Sequence, residues 1–196
     1  MKKLIITLSI LTIAFAGTVF AQDGMSDNNI GIYLADGSHA VDAVQGEVLD
    51  LHLVITNMTS PAVAGFEVKM ISEGPLFIVE SSIAFPTDSI NVGSRYGEII
   101  VGFGTPLLPE AGSIEVMSFS ALVSDAAQPS SLFIMPVFSP SIPGVPSYLA
   151  DAQADILVEM RQSTGGPSDP VFVVNTDPVP VATESTSFDS LKSLYR

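Results

Sequence analysis

The chain is predicted to be all-β, an antiparallel β-sandwich or jelly roll of about nine strands, and three observations predict it. From Asn28 to about Arg161 apolar residues recur with a period of two rather than 3.6. Turn residues interrupt these runs at fairly regular spacing: Asp36-Gly37, Gln45-Gly46, Ser60-Pro61, Glu73-Gly74-Pro75, Phe85-Pro86, Gly93, Pro109 to Gly112 and Gln128-Pro129. No stretch of ten or more residues in this range carries a helical stripe.

The strands follow in order. Ile30, Ile32 and Leu34 alternate with Gly31 and Tyr33. Leu49, Leu51, Leu53 and Ile55 alternate with Asp50, His52, Val54 and Thr56, the clearest strand of the chain. Phe66, Val68 and Met70 alternate with Glu67, Lys69 and Ile71. Ile99, Val101 and Phe103 follow Tyr96-Gly97. Ile114, Val116, Ser118 and Ser120 share a face opposite Met117, Phe119 and Ala121. Leu132, Ile134 and Val137 form a further strand, and Ile156, Val158 and Met160 alternate with Leu157, Glu159 and Arg161. Pro140 to Tyr148 contains Pro140, Pro143 and Pro146, which remove ladder donors, so it reads as a long loop before the last strand. Phe66, Phe103 and Phe119 are expected in the core, whereas His52 and His39 are expected in solvent.

The borders read differently. Met1-Lys2-Lys3, the apolar run Leu4 to Phe20 and the small residue Ala21 describe a secretory signal over 1–21, cut before Gln22. The expected organisation is then a sandwich domain over 22–161, a Gly/Pro/Ser/Thr-rich linker over 162–187 and an amphipathic tail over 188–196. In the tail Phe188, Leu191 and Leu194 with Tyr195 fall three and four apart, beside Lys192 and Arg196. A helix that short is unstable alone in water, so the six residues are candidates for a recognition or sorting tag. The expected location is secreted, periplasmic or cell-surface in a bacterium, with no stable membrane span after signal removal.

Composition closes several classes. The formal net charge is −14, and the two leader lysines would leave with the signal. Such a surface repels phosphates, so nucleic acid is not an expected partner. With no cysteine there are neither disulfides, nor thiol catalysis, nor thiolate zinc. No Gly-x-Ser-x-Gly elbow or phosphate loop occurs, and Gly102-Phe103-Gly104 has no following helix or lysine. The expectation is a non-enzyme without a cofactor. Calcium is the one metal the pattern admits, at Asp151 with Asp155 or Asp23 with Asp27, although neither pair forms a regular Asp-x-Asp-x-Asp-Gly loop.

Gln45-Gly46-Glu47-Val48 opening a long strand, Asn57, Val63-Ala64-Gly65-Phe66-Glu67-Val68, Leu76-Phe77-Ile78-Val79 and Gly112 to Leu122 together resemble the cohesin domains of cellulosomes and their looser relatives. The resemblance implies a nine-strand jelly roll. The family's Tyr-Asp-Pro after the second of these strands is replaced by Ser72-Glu73-Gly74-Pro75, so no binding residues are carried over. Asn29 to Tyr33 and the closing Phe188-x-x-Leu191-Lys192-x-x-Tyr195-Arg196 resemble the borders of a group of secreted bacterial proteins whose tail follows a Thr/Ser/Pro linker.

Two functions are expected from this. The first is a binding module acting by protein–protein contact in adhesion, scaffolding or assembly, through a sheet face, an edge strand or the tail. The alternative is a carbohydrate-binding module on extracellular polysaccharide, with Tyr33, Tyr96 and Tyr148 as candidate sugar contacts. An acid-based glycoside hydrolase is the remote third reading, since the 21 acidic residues will place some pair of carboxylates at a suitable separation.

Overall fold

The computed structural model describes residues 27–86, 88–150 and 156–176. The signal segment, the tail 188–196, Asp23 and the Asp151–Asp155 pair lie outside these residues. Among the described residues thirteen strands occur in the order β1 Asn29–Tyr33, β2 Ala40–Val41, β3 Val48–Thr56, β4 Val63–Glu73, β5 Leu76–Ala84, β6 Ser89–Asn91, β7 Glu98–Leu107, β8 Ile114–Val123, β9 Ser130–Met135, β10 Ser147–Leu149, β11 Leu157–Glu159, β12 Arg161–Gln162 and β13 Phe172–Val174. Among the described residues none is helical, and no helix is long and apolar enough to cross a membrane.

The strands make two facing sheets. One has the order β12-β1-β3-β8-β5; the other runs β11-β10-β4-β9-β13-β2, with β7 on the opposite edge of β4 and β6 beyond it. Most pairs are antiparallel, but β1–β12 and β13–β2 are parallel. The inner faces meet in one core that includes Leu51, Leu53, Phe66, Val68, Val101, Phe119 and Ile134, each at most 3% exposed. The expected phenylalanine core is present: Phe103 is 7% exposed and its ring lies 6.0 Å from that of Phe66. With no disulfide, this burial is what holds the fold.

Where the expected alternation fails, the cause is a bulge. Leu53 pairs with Met117, but Val54 pairs with Glu115, so Val116 is an extra residue in β8. One added residue reverses the facing of everything beyond it. Ile114 therefore sits opposite the inward Ile55 rather than sharing a face with Ser118, and both Val54 and Val116 are fully buried.

Residues 162–175, expected to lie in the linker, are packed against the sandwich. Gln162 donates from Nε2 to the Ile134 carbonyl (2.8 Å), and Val171, Phe172 and Val174 are core residues. Asn175 Oδ1 accepts from the Ala43 amide (2.8 Å), while its Nδ2 donates to the Ala43 carbonyl (3.0 Å). Residues 162–176 thus close the sandwich. Their polar composition conceals a three-residue strand that is meaningful only once β9 lies beside it.

β9 and β10 form one interrupted strand line. Met135 pairs with Lys69 and Ser147 with Glu67, so both run along the same edge of β4. Between them residues 136–146 leave the ladder as a proline-rich excursion. Its prolines explain the departure, as expected, but Ser147–Leu149 returns to pair centrally between β4 and β11.

Candidate functional site

The outer face of the second sheet carries the most distinctive surface. Strand register sets it out as rows running across β6, β7, β4, β10 and β11. One row is Ile90, Gly102, Gly65, Leu149 and Leu157; the next along the strands includes Ile100, Glu67, Ser147 and Glu159. Phe66 and Val101 point the other way, into the core, which follows from the period of two.

Gly65 and Gly102 face each other and leave the middle of the first row without side chains. The result is a groove of about 200 Å³, floored by the two glycines and walled by Ile100, Leu149 and Leu157. Ile90 stands at one end, 71% exposed, and Leu157 is 43% exposed at the other.

The excursion bounds one side of the groove, held there by two buried carboxylates. Glu67 Oε1 accepts from the Ser141 amide (2.6 Å) and from Ser147 Oγ (2.9 Å), while Oε2 accepts from Ser141 Oγ (3.0 Å). Glu98 Oε1 accepts from the Phe138 amide (2.7 Å). These bonds satisfy carboxylates that would otherwise be costly to bury. The Phe138 ring remains exposed, and the Arg95 guanidinium lies 3.6 Å from its centroid.

The three candidate tyrosines are not brought together. Tyr148 points into the core opposite Phe66 and is fully buried, with its hydroxyl donating to Asn28 Oδ1 (2.9 Å). Tyr33 is 1% exposed, and its ring occupies space that Gly31 leaves by lacking a Cβ. As candidate sugar contacts both are therefore corrected: Tyr148 lies in a strand rather than the loop, and Tyr33 is buried within β1. Tyr96 is 82% exposed.

His39 is exposed as expected. His52 is only partly so, with Nδ1 3.0 Å from Glu115 Oε2. Asp27 is exposed, and among the described residues no group of three or more His, Cys, Asp or Glu is placed to hold a metal. In the sequence Glu67 alternates with core residues as an outward strand residue does, and no motif there marks Glu98, Gly65 or Gly102 as a site. An isolated glycine inside a strand pattern was the available signal, since it marks a bulge or a close approach.

No family model matches the chain, and no curated protein does. Among solved structures it is similar to a type II cohesin domain from the cellulosome of Acetivibrio cellulolyticus, at 17% identity and TM-score 0.46, covering 79% of this chain and 98% of that one. It is also similar to the seventh ScaB type I cohesin of Pseudobacteroides cellulosolvens, at 15% identity and TM-score 0.45, over 69% and 86% of the two chains. A third is the third ScaB cohesin of R. flavefaciens, solved in complex with a group 1 dockerin, at 11% identity and TM-score 0.41, over 69% and 91%. All three are cohesins.

Proposed function

We propose that the protein is a non-enzymatic, secreted or surface-held binding module that acts by protein–protein contact through the groove on the outer face of β6, β7, β4, β10 and β11. The observation that carries this is the facing pair Gly65 and Gly102 between exposed Ile90 and Leu157. Side chains are missing from the centre of a sheet face that is apolar at both ends, so a partner's apolar ridge can reach the backbone.

The occupant is a polypeptide whose apolar ridge is flanked by Lys and Arg. The formal net charge of −14 favours that partner over an acidic one and opposes a second copy of this chain. The proline-rich excursion sets one side of the groove and is held by Glu67 and Glu98, so little of it has to be ordered on binding.

The test is retention of partner from the producing bacterium's envelope and medium on the full mature chain, on Gly102→Leu and on a chain lacking residues 183–196. A Cβ at Gly102 meets nothing within 4 Å, so a side chain there fills the groove without disturbing the sandwich. The expected result is capture by the first and third proteins and a loss of at least about tenfold with Gly102→Leu, roughly 1.4 kcal/mol. Equal capture by Gly102→Leu overturns the groove. Loss on removing 183–196 alone transfers recognition to the tail residues Phe188, Leu191, Lys192, Leu194, Tyr195 and Arg196.

A further inference from the structure

A second cavity, which shares no lining residue with the groove, lies at the seam between the two sheets. It holds about 230 Å³ and has walls of Met70, Ile78, Ile83 and Ile99. A bulge in β5 opens it. Val79 pairs with Ser120, yet Ala84 pairs with Ser118, so the residues between them leave the ladder. Ser82 fills the vacated position, accepting from the Ser120 amide (2.7 Å) and donating to the Val79 carbonyl (2.6 Å). Glu80 and Ile83 are thereby placed on the cavity.

The rim is polar and already positioned. Asn91 Oδ1 is occupied by the Gly93 and Ile100 amides (3.0 and 3.1 Å), so only the two N–H donors of its amide remain for a ligand. The Arg95 guanidinium rests against the Phe138 ring. The backbone that carries Tyr96 is set by the turn that follows it. Gly97 has φ of 74°, its carbonyl accepts from the Met70 amide (2.9 Å), and a Cβ there would lie 2.4 Å from the Met70 carbonyl oxygen. Glu80 and Arg95 both line the cavity without an ion pair between them, and no hydrogen-bond partner of the Glu80 carboxylate occurs among the described residues.

We propose that this cavity binds a single pyranose unit bearing a methyl group, as in an N-acetyl or 6-deoxy sugar. Two carboxylates, Glu80 and Glu98, line the cavity against the single Arg95, so the lining opposes an anion, and its mixture of acceptors and donors suits a neutral polyol. Glu80 accepts from sugar hydroxyls, whereas Asn91 and Arg95 donate to them. The exposed Tyr96 ring offers a face for the C–H side of the sugar, and the apolar walls receive the methyl group. An apolar cavity of about 150 Å³ is enough to hold benzene, so the space admits the substituent and part of the ring.

The test is saturation-transfer NMR and titration calorimetry of the full mature chain with N-acetylglucosamine, L-fucose and D-glucose. At least one of the two methyl-bearing sugars should bind with millimolar affinity, at least about fivefold tighter than glucose. Tyr96→Ala should weaken that binding about tenfold and Glu80→Gln several-fold, whereas Gly102→Leu should leave it unchanged. Failure of both methyl-bearing sugars to bind, equal affinity for glucose, or binding indifferent to Tyr96→Ala overturns the proposal. Tyr96 is too exposed for its removal to unfold the chain, and because Gly102→Leu tests only the groove, the two proposals fail separately.

Discussion

Gly65 and Gly102 stand opposite each other between β4 and β7, yet a methyl group meets different surroundings at each. At Gly65 a Cβ would lie 2.5 Å from the Val101 carbonyl oxygen, a backbone atom that cannot swing aside, whereas at Gly102 it meets open space. Gly65→Ala should therefore cost about 1–3 kcal/mol. Gly102→Ala should be neutral or stabilise by up to about 1 kcal/mol through the entropy a glycine loses on folding. Urea midpoints of the two variants decide it, and a Gly102→Ala variant as unstable as Gly65→Ala would refute the geometry. Glycine positions are plain in the sequence, but their clearances are not, because they depend on the neighbouring strand's carbonyls. Tyr33 and Tyr148 make the same point: alternation left room for exposure, and the fold buries both.

Among the elements, the 136–146 excursion depends on two residues far away in sequence. Replacing Glu67 and Glu98 together by Gln leaves their shape but removes the charge-assisted acceptors for the Ser141 and Phe138 amides. The expected outcome is faster proteolytic cleavage within 136–146 and a global loss of about 2–4 kcal/mol, since bonds to charged groups contribute about 1.5–3 kcal/mol each. Cleavage at the wild-type rate would show that the prolines alone hold the excursion. The loop itself was legible from Pro140, Pro143 and Pro146. Its attachment was not, because Glu67 alternates with core residues as a solvent-facing residue would. The bulge at Val116 escaped for a related reason: an inserted residue produces no break in composition, only a change of phase that appears when β3 is laid beside β8.

For the whole molecule, the sandwich reaches to residue 176. A chain ending at Arg161 loses Phe172, Val171, Val174 and the Asn175 bonds to Ala43. Removing that much buried apolar surface should prevent a cooperative unfolding transition, whereas a chain ending at Thr176 keeps every contact described above and should melt close to the full chain. Calorimetry on the two truncations tests this, and a cooperative transition in the shorter one would refute it. By itself the sequence determined the all-β class, most strand positions, the phenylalanine core and the absence of disulfides, because alternation, turn residues and composition are local properties. Only the tertiary structure decided which side of a strand is covered, where 162–176 pairs, and that Gly65, Gly102, Ile90 and Leu157 share one row. Those are properties of register and of contacts between distant segments, and no window of sequence contains both partners.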